Sequence, residues 1–287
     1  MTELPRLLKR LYRFRRNAAR GGWARMWRRR RKAALVTELR RRWPGAYALT
    51  DQGDLACVPA PLDARGEHVL FYGFATPPGV RAFAPEDGVA IDIGANLGEW
   101  AVPLAKAVGA SGRILCCEPN PSVAAALAAT LAINNLAQAQ VLTVAVSEAD
   151  GDGHLATDAT DSGRSRLADA GLAVRLRSLD SLVADAALKR LDLIKIDVEG
   201  HEAAVLDGAT ATLARYRPAL IFESGHESSG DRERIARLLA AQGYELVAAL
   251  HDYGALPCTI ADYRAARDAC AGNAPRNLLA LPRPATT

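Results

Sequence analysis

From residue 89 onward the apolar residues fall into short runs with few polar interruptions, separated by stretches with helical spacing. Runs at 89–93, 113–118, 141–146, 191–197, 218–223, 244–250 and 277–282 lack the in-out alternation of a half-exposed sheet. That pattern marks strands buried on both faces, as in a parallel sheet covered by helices. Helices are predicted between them at 99–108, 122–136 and 230–242, the second an alanine-rich segment entered through Pro119 and Pro121. Residues 154–180 (HLATD, GRSRL, VRLRSLD) interrupt this alternation and read as an inserted β-ribbon. Upstream, AYALT, LACVP and HVLFYGF over 46–75 are strand-like, separated by turn signals at Asp51–Asp54 and Pro61–Gly66. They predict a β-hairpin that braces the sheet or closes over a site.

One junction in this pattern carries candidate chemistry. VAIDIGANLGE (89–99) is a strand ending in a small-residue turn, Asp92-x-Gly94-x-Asn96-x-Gly98, with a helix to follow. The glycines remove Cβ atoms where the chain bends and where a small molecule can approach the main chain. The free N–H groups of the next helix favour a negative ligand group. RILCCEPN (113–120) then brings Glu118 to the end of the adjacent strand, the place where an acidic residue accepts hydrogen bonds from both ribose hydroxyls. By itself Glu118 suits a helix cap equally well, and only its pairing with Asp92, Gly94 and Gly98 points to a nucleoside.

The turn also excludes ligands. No Gly-x-Gly lies between 89 and 100, and no Lys with Ser/Thr follows the glycines, so neither a dinucleotide fingerprint nor a P-loop is present. Asp92 would repel a phosphate but suits a cationic amine. S-adenosylmethionine offers an amine, a carboxylate for the helix N-terminus and a ribose for Glu118, and is the expected cofactor.

DIGANLG, EPNP at 118–121, IKIDVEGHE at 194–202 and PALIFES at 218–224 together resemble the FkbM family of S-adenosylmethionine-dependent methyltransferases, over about residues 46–287. The resemblance implies a class I, Rossmann-like fold with a seven-stranded, doubly wound, mostly parallel sheet whose last strand runs antiparallel. It also implies methyl transfer to a hydroxyl oxygen on a sugar, glycan, polyketide or related metabolite, and an acceptor-shaping role for the inserted ribbon. His201 departs from the family, which more often has a small residue there.

In that frame the ends of two further strands matter. Asp197 closes LDLIKIDVEG and Glu223 closes PALIFES, so Asp197, Glu199, His201, Glu223 and His226 gather near the transferable methyl group. Asp197, Glu199 and His201 are the candidate catalytic residues. His201 has a suitable reference pKa for a general base, and alternatively caps the helix after Gly200. Asp197 or Glu199 orients it or serves as the base. Asp92, Gly94, Asn96, Gly98, Glu118 and Ser147 are the candidate cofactor contacts, Ser147 through the loop that borders the adenine. Asp197, Glu199, Glu223 and His226 have the donor types for a divalent cation, yet nothing in their spacing demands one, and no metal is expected. Arg164 and Arg166 in the ribbon suit either solvent or an anionic acceptor.

Composition changes the picture at one end only. The 287 residues are 49% apolar and 24% charged, as in a soluble globular protein. The formal net charge of +4 hides an asymmetry: residues 1–43 hold 16 Lys/Arg against Glu3 and Glu38, while the other 244 residues hold 20 basic and 30 acidic groups. The chain thus divides into a basic amphipathic arm (1–45) and a methyltransferase domain (46–287). The arm carries Leu4, Leu7, Leu8, Leu11 and Phe14, then Trp23, Met26 and Trp27, then Leu35, Val36, Leu39 and Trp43. It suits an anionic membrane surface, an apolar stripe folded onto the domain, or RNA with its tryptophans as stacking platforms. An RNA methyltransferase is the alternative function, opposed by the acidic domain and by the lack of an Asn-Pro-Pro-Tyr-type motif, so no nucleic-acid partner is expected. A non-catalytic scaffold is opposed by the intact Asp92, Gly94, Glu118 and Asp197. Cysteines 57, 116, 117, 258 and 270 show no metal spacing. With no membrane span and no leader-like apolar segment, a reducing, cytoplasmic setting is expected.

Overall fold

The computed structural model describes residue 10 and residues 23–74, 77, 79–251, 254–266 and 276–284. The first two apolar sets of the basic arm lie outside the residues whose side chains are described. Helix α1 (Trp23–Arg42) ends on the third set. Leu35, Leu39 and Trp43, spaced by four, are buried, and the Trp43 indole N–H donates to the Val58 carbonyl at 3.0 Å. The end of the arm is thereby built into the domain core.

Strands β1 (Ala46–Leu49) and β2 (Leu55–Val58) form the expected antiparallel hairpin. The run at 68–74, expected as a third strand, is instead helical: α2 spans Ala64–Tyr72. Asp63 caps it by accepting the Gly66 N–H at 2.7 Å, and Val69 and Leu70 turn into the core. A good N-cap outweighs the weak β preference of a run that does not alternate.

After the short helix α3 (Val80–Phe83), the chain winds β3 (Val89–Ile93), α4 (Ala101–Val108), β4 (Arg113–Cys117), α5 (Pro121–Ile133) and β5 (Ala139–Leu142). The three strands are parallel neighbours. The predicted single strand at 141–146 divides here. Strand β5 stops at Leu142, and β6 (Ala145–Ser147) leaves the main sheet to pair in parallel with β9 (Leu172–Ser178). With β7 (Gly151–Ala156) and β8 (Arg166–Ala168) they make a four-stranded sheet in the order β6-β9-β7-β8. The inserted ribbon is therefore present, enlarged by a strand that sequence pattern had assigned to the main sheet.

The second half runs α6 (Leu179–Asp185), β10 (Leu193–Ile196), α7 (Glu202–Asp207), α8 (Thr210–Tyr216), β11 (Ala219–Ser224), α9 (Ser229–Ala241), β12 (Tyr244–His251), β13 (Gly254–Pro257), α10 (Ile260–Arg264) and β14 (Arg276–Pro282). The main sheet has the order β13-β12-β14-β11-β10-β3-β4-β5. It holds eight strands rather than the seven expected, because β13 folds back antiparallel on β12 at the edge. Strand β14 is antiparallel to both neighbours, as expected. Apolar clusters cover both faces, one centred on α4 and α5 and one on α6, α8 and α9.

Among the described residues, no helix is long and apolar enough to cross a membrane. Cys57, Cys116 and Cys117 are free thiols, whereas Cys258 is disulfide-bonded, which departs from the wholly reduced set that the sequence suggested.

Candidate active site

The strand order reverses between β3 and β10, and a cleft opens at their carboxyl ends, enclosing about 780 Å³ when space open to solvent is counted. In open α/β sheets this is where ligands bind. Asp92, Gly94, Asn96, Glu118, Asp197, Glu199 and His201 all line it.

The glycine turn is held chiefly by the protein itself. Gly94 (φ +82°) lies against the Asp197 carbonyl oxygen, which a Cβ would overlap. At Gly98 (φ +103°) a Cβ would come 2.8 Å from Leu127 Cδ1. Both glycines thus serve close packing as much as any ligand, a reason that sequence alone did not supply. The helix after the turn also offers less than expected to an anion. The Val102 N–H of α4 is bonded to the Gly98 carbonyl at 3.0 Å, and Pro103 has no N–H.

Glu118 locks the turn to the next strand. One carboxylate oxygen accepts the Asn96 N–H at 3.0 Å and the other the Asn120 N–H at 2.9 Å. Burial pushes its pKa up to about 7, against the pull of these two bonds. Each oxygen keeps a lone pair for a further donor. Asn96 (φ +44°) accepts the Leu97 N–H at 2.8 Å through Oδ1, and the Ser162 hydroxyl of the ribbon stands 3.4 Å from the same oxygen.

Asp92 is 1% exposed, and its Oδ2 has no hydrogen-bond partner. Burial raises its pKa to about 7, with Lys195 opposing and Asp197 adding to the rise. A buried carboxylate oxygen without a donor, lining a cleft, is completed by a cationic amine. The donor set therefore fits S-adenosylmethionine: Asp92 for the ammonium, Glu118 for the ribose, and Cys117, Pro119, Val144, Ala145 and Val146 as an apolar wall for the adenine.

On the other side of the turn lies a network that the sequence did not reveal. Lys195 of β10, 0% exposed, is in register with Asp92. Its ammonium donates to the Ile196 carbonyl at 3.0 Å and to Asp197 Oδ2 at 3.3 Å, 5.2 Å from the centre of the Trp100 ring. The only available signal was a charge inside the apolar run LIKI. Register puts Phe222 beside Ile196, so Glu223 follows next to Asp197. Burial and then the Asp197 charge drive the Glu223 pKa up to about 9. Glu199, held at φ +53°, meets His226 at 3.3 Å and Arg65 at 4.0 Å. Arg65 comes from the first turn of α2, where sequence pattern predicts a turn, and also reaches Glu99 and Asp161, each at 3.6 Å.

Glu199, Glu223 and His226 present one donor atom each within 4.8 Å of one another. His226 Nε2 is also 3.6 Å from Glu223, so the imidazole lies between the two carboxyl groups.

His201 stands apart from this group. Its Nε2 is 2.9 Å from the Ser147 oxygen, whose proton goes to Glu148 Oε2 at 2.6 Å. A hydroxyl has one proton, so Nε2–H of His201 must be the donor. Burial lowers the His201 pKa, favouring this neutral ring. The residue occupies the N-cap position of α7 without a side-chain capping bond. Structure thus joins His201 to Ser147 of β6, and Asp197 to Lys195 and its neighbour Glu223 at the ends of β10 and β11.

Several solved structures are similar to this chain at low identity. A methyltransferase FkbM from Methylobacillus flagellatus is 18% identical, with a TM-score of 0.45 over 68% of this chain and 44% of its own. This chain therefore spans under half the length of that protein. Fibrillarin from Aeropyrum pernix with bound S-adenosyl-L-methionine is 12% identical (TM-score 0.42, 69% and 68% covered). An O-methyltransferase from Bacillus cereus in complex with SAH is 16% identical (TM-score 0.41, 71% and 77% covered). No curated protein matches the chain significantly. The family model of the methyltransferase FkbM domain matches residues 92–246, more than half of the sequence and all the cleft-lining residues except Arg65. The chain belongs to the FkbM family of S-adenosylmethionine-dependent methyltransferases.

Proposed function

We propose that this methyltransferase acts on a hydroxyl oxygen of a sugar-like, polyhydroxylated acceptor, with Asp197 receiving the hydroxyl proton. The observation that carries the reading is the setting of Asp197. Its carbonyl oxygen packs on the glycine turn, its carboxylate is held by Lys195, and its side chain remains 27% exposed toward the cleft. S-adenosylmethionine supplies a methyl group activated by its sulfonium. What the chain must add is a pocket that holds a neutral hydroxyl in line and a base for its proton, worth about 10²–10⁴-fold when well positioned.

The acceptor side supports a polyol. Trp100, Glu99, Arg65, Ser162 and Glu199 line it, combining an aromatic face with hydrogen-bonding groups of both kinds. Glu199, tied to Arg65 and His226, orients the acceptor rather than taking its proton. His201, bonded to Ser147, serves the cofactor end. The carboxylates already disfavour an anionic acceptor.

The test is to incubate the protein with methyl-labelled cofactor and cell extract, then identify the labelled product. Label in a saccharide or polyol methyl ether, lost at least about a hundredfold in Asp197→Asn while cofactor affinity stays within a few-fold, is the expected result. Label in RNA or on nitrogen would overturn the acceptor class. Full activity of Asp197→Asn would overturn the base.

A further inference from the structure

Lys195 is a fully buried lysine facing three carboxyl groups on three adjacent strands. Asp92 stands beside it on β3, Asp197 two residues on along β10, and Glu223 beside Asp197 on β11. Side chains two apart on a strand, and in-register neighbours in a sheet, share one face, so these four groups form a single cluster at the floor of the cleft, which Asp92 and Asp197 line. The wider surroundings are Glu118 at the end of β4, Glu99 before α4, Arg65 of α2, and the Glu199–His226 pair. Among the described residues, Lys195 is the ammonium hydrogen-bonded within the cluster. Arg65 is engaged with Glu99, Asp161 and Glu199 on its rim, where the His226 ring lies 3.3 Å from Glu199 and 3.6 Å from Glu223.

One ammonium among three carboxyl groups, Asp92 buried and Asp197 and Glu223 partly so, leaves the cluster short of positive charge. Buried charges without counter-charges take up protons instead. The unpartnered Oδ2 of Asp92 is where the shortage meets the cleft.

We propose that Lys195 is a positioning residue for the cofactor: its single charge, distributed over Asp92, Asp197 and Glu223, sets how many protons the empty cluster holds, and the ammonium of S-adenosylmethionine binds Asp92 by displacing one of them to solvent. Lys195 never touches the cofactor in this scheme. It acts through Asp92, which its charge keeps near the midpoint of its titration at neutral pH, and so ready to exchange a proton for a ligand ammonium. The step balances simply: the Asp92 carboxyl loses a proton to buffer, and the carboxylate left behind pairs with the ammonium. The inference rests on the cofactor assignment above and needs no acceptor.

Calorimetric titration of S-adenosylmethionine into the full chain at pH 7, in two buffers of different ionisation enthalpy, counts the protons released. With Asp92 near pKa 7, the Asp92 share is about half a proton per cofactor. In Asp92→Asn the count falls by that share. In Lys195→Met the lost ammonium leaves Asp92 protonated, so the count rises by up to about half a proton. Affinity at pH 7 then falls about tenfold for each unit by which the Asp92 pKa has risen. A purely structural role for Lys195 would weaken binding with no change in proton count. Should Lys195→Met fail to fold, the isosteric Asp92→Asn carries the test. Binding with the same proton count in wild type and Asp92→Asn overturns this inference alone. No binding of S-adenosylmethionine to the wild-type chain would overturn the cofactor assignment with it.

Discussion

Gly94 and the carbonyl oxygen of Asp197 are packed so closely that no side chain fits between them. The ends of β3 and β10, one carrying the proposed cofactor turn and the other the proposed base, are thereby fixed to each other through backbone. The Asp197 N–H completes the junction by donating to the Ile93 carbonyl at 2.9 Å.

Gly94→Ala should therefore damage both halves of the site together. Residue 94 has a positive φ, which disfavours alanine by about 1–2 kcal/mol before the overlap is counted. Thermal melts should show destabilisation of more than about 2 kcal/mol. Titration should show loss of S-adenosylmethionine binding. A variant with wild-type affinity would mean that the β3–β10 junction can part without disturbing the turn.

Glu118→Gln should separate the two duties of that carboxylate. A hydrogen bond to a charged acceptor contributes about 1.5–3 kcal/mol, so cofactor affinity should fall about 10–100-fold. The pH response has a definite sign. The folded-state pKa of Glu118 is about 7, against an ordinary 4.5, so between those values the native state holds a proton that the unfolded chain has lost. Stability from this group is present below about pH 4.5 and is lost as pH rises through about 7. Without cofactor, wild-type melting temperature should drop relative to Glu118→Gln across that window. Equal slopes would remove the buried-acid account.

His201→Ala tests which end of the cofactor His201 serves. It removes a donor to Ser147 but leaves the Ser147–Glu148 bond in place. Losing one neutral hydrogen bond, about 1 kcal/mol, should weaken cofactor binding roughly fivefold. The rate of methyl transfer at saturating cofactor should stay within a few-fold. A collapse in that rate at unchanged affinity would return the base role to His201.

Leu39→Ala tests whether the end of the basic arm is structural. Leu39 is 0% exposed and belongs to the same apolar cluster as Val58, Leu70 and Leu104. Removing a buried leucine typically costs about 2–5 kcal/mol. A melting curve unchanged by the substitution would show that α1 contributes nothing to the domain.

Local pattern determined a good deal of this protein. The largely apolar runs at 89–93, 113–117 and 219–223 specified buried strands, because apolar residues on both faces of so short a run admit few other solutions. DIGANLG and Glu118 carry the nucleoside reading, since an acidic side chain beside two glycines disfavours phosphate and suits an amine. Other features were decided only in three dimensions. Lys195 is an odd residue in a strand until β3 and β11 set Asp92 and Glu223 around it. Arg65 reaches the cleft only because an N-cap made a helix of its segment. His201 and Asp197, four residues apart, part company because β6 leaves the main sheet and presents Ser147 to the imidazole. Sequence periodicity reports which face of an element is buried, and that is a local matter. Which charge a side chain meets there depends on strand register and order, and those are fixed only when distant parts of the chain pack.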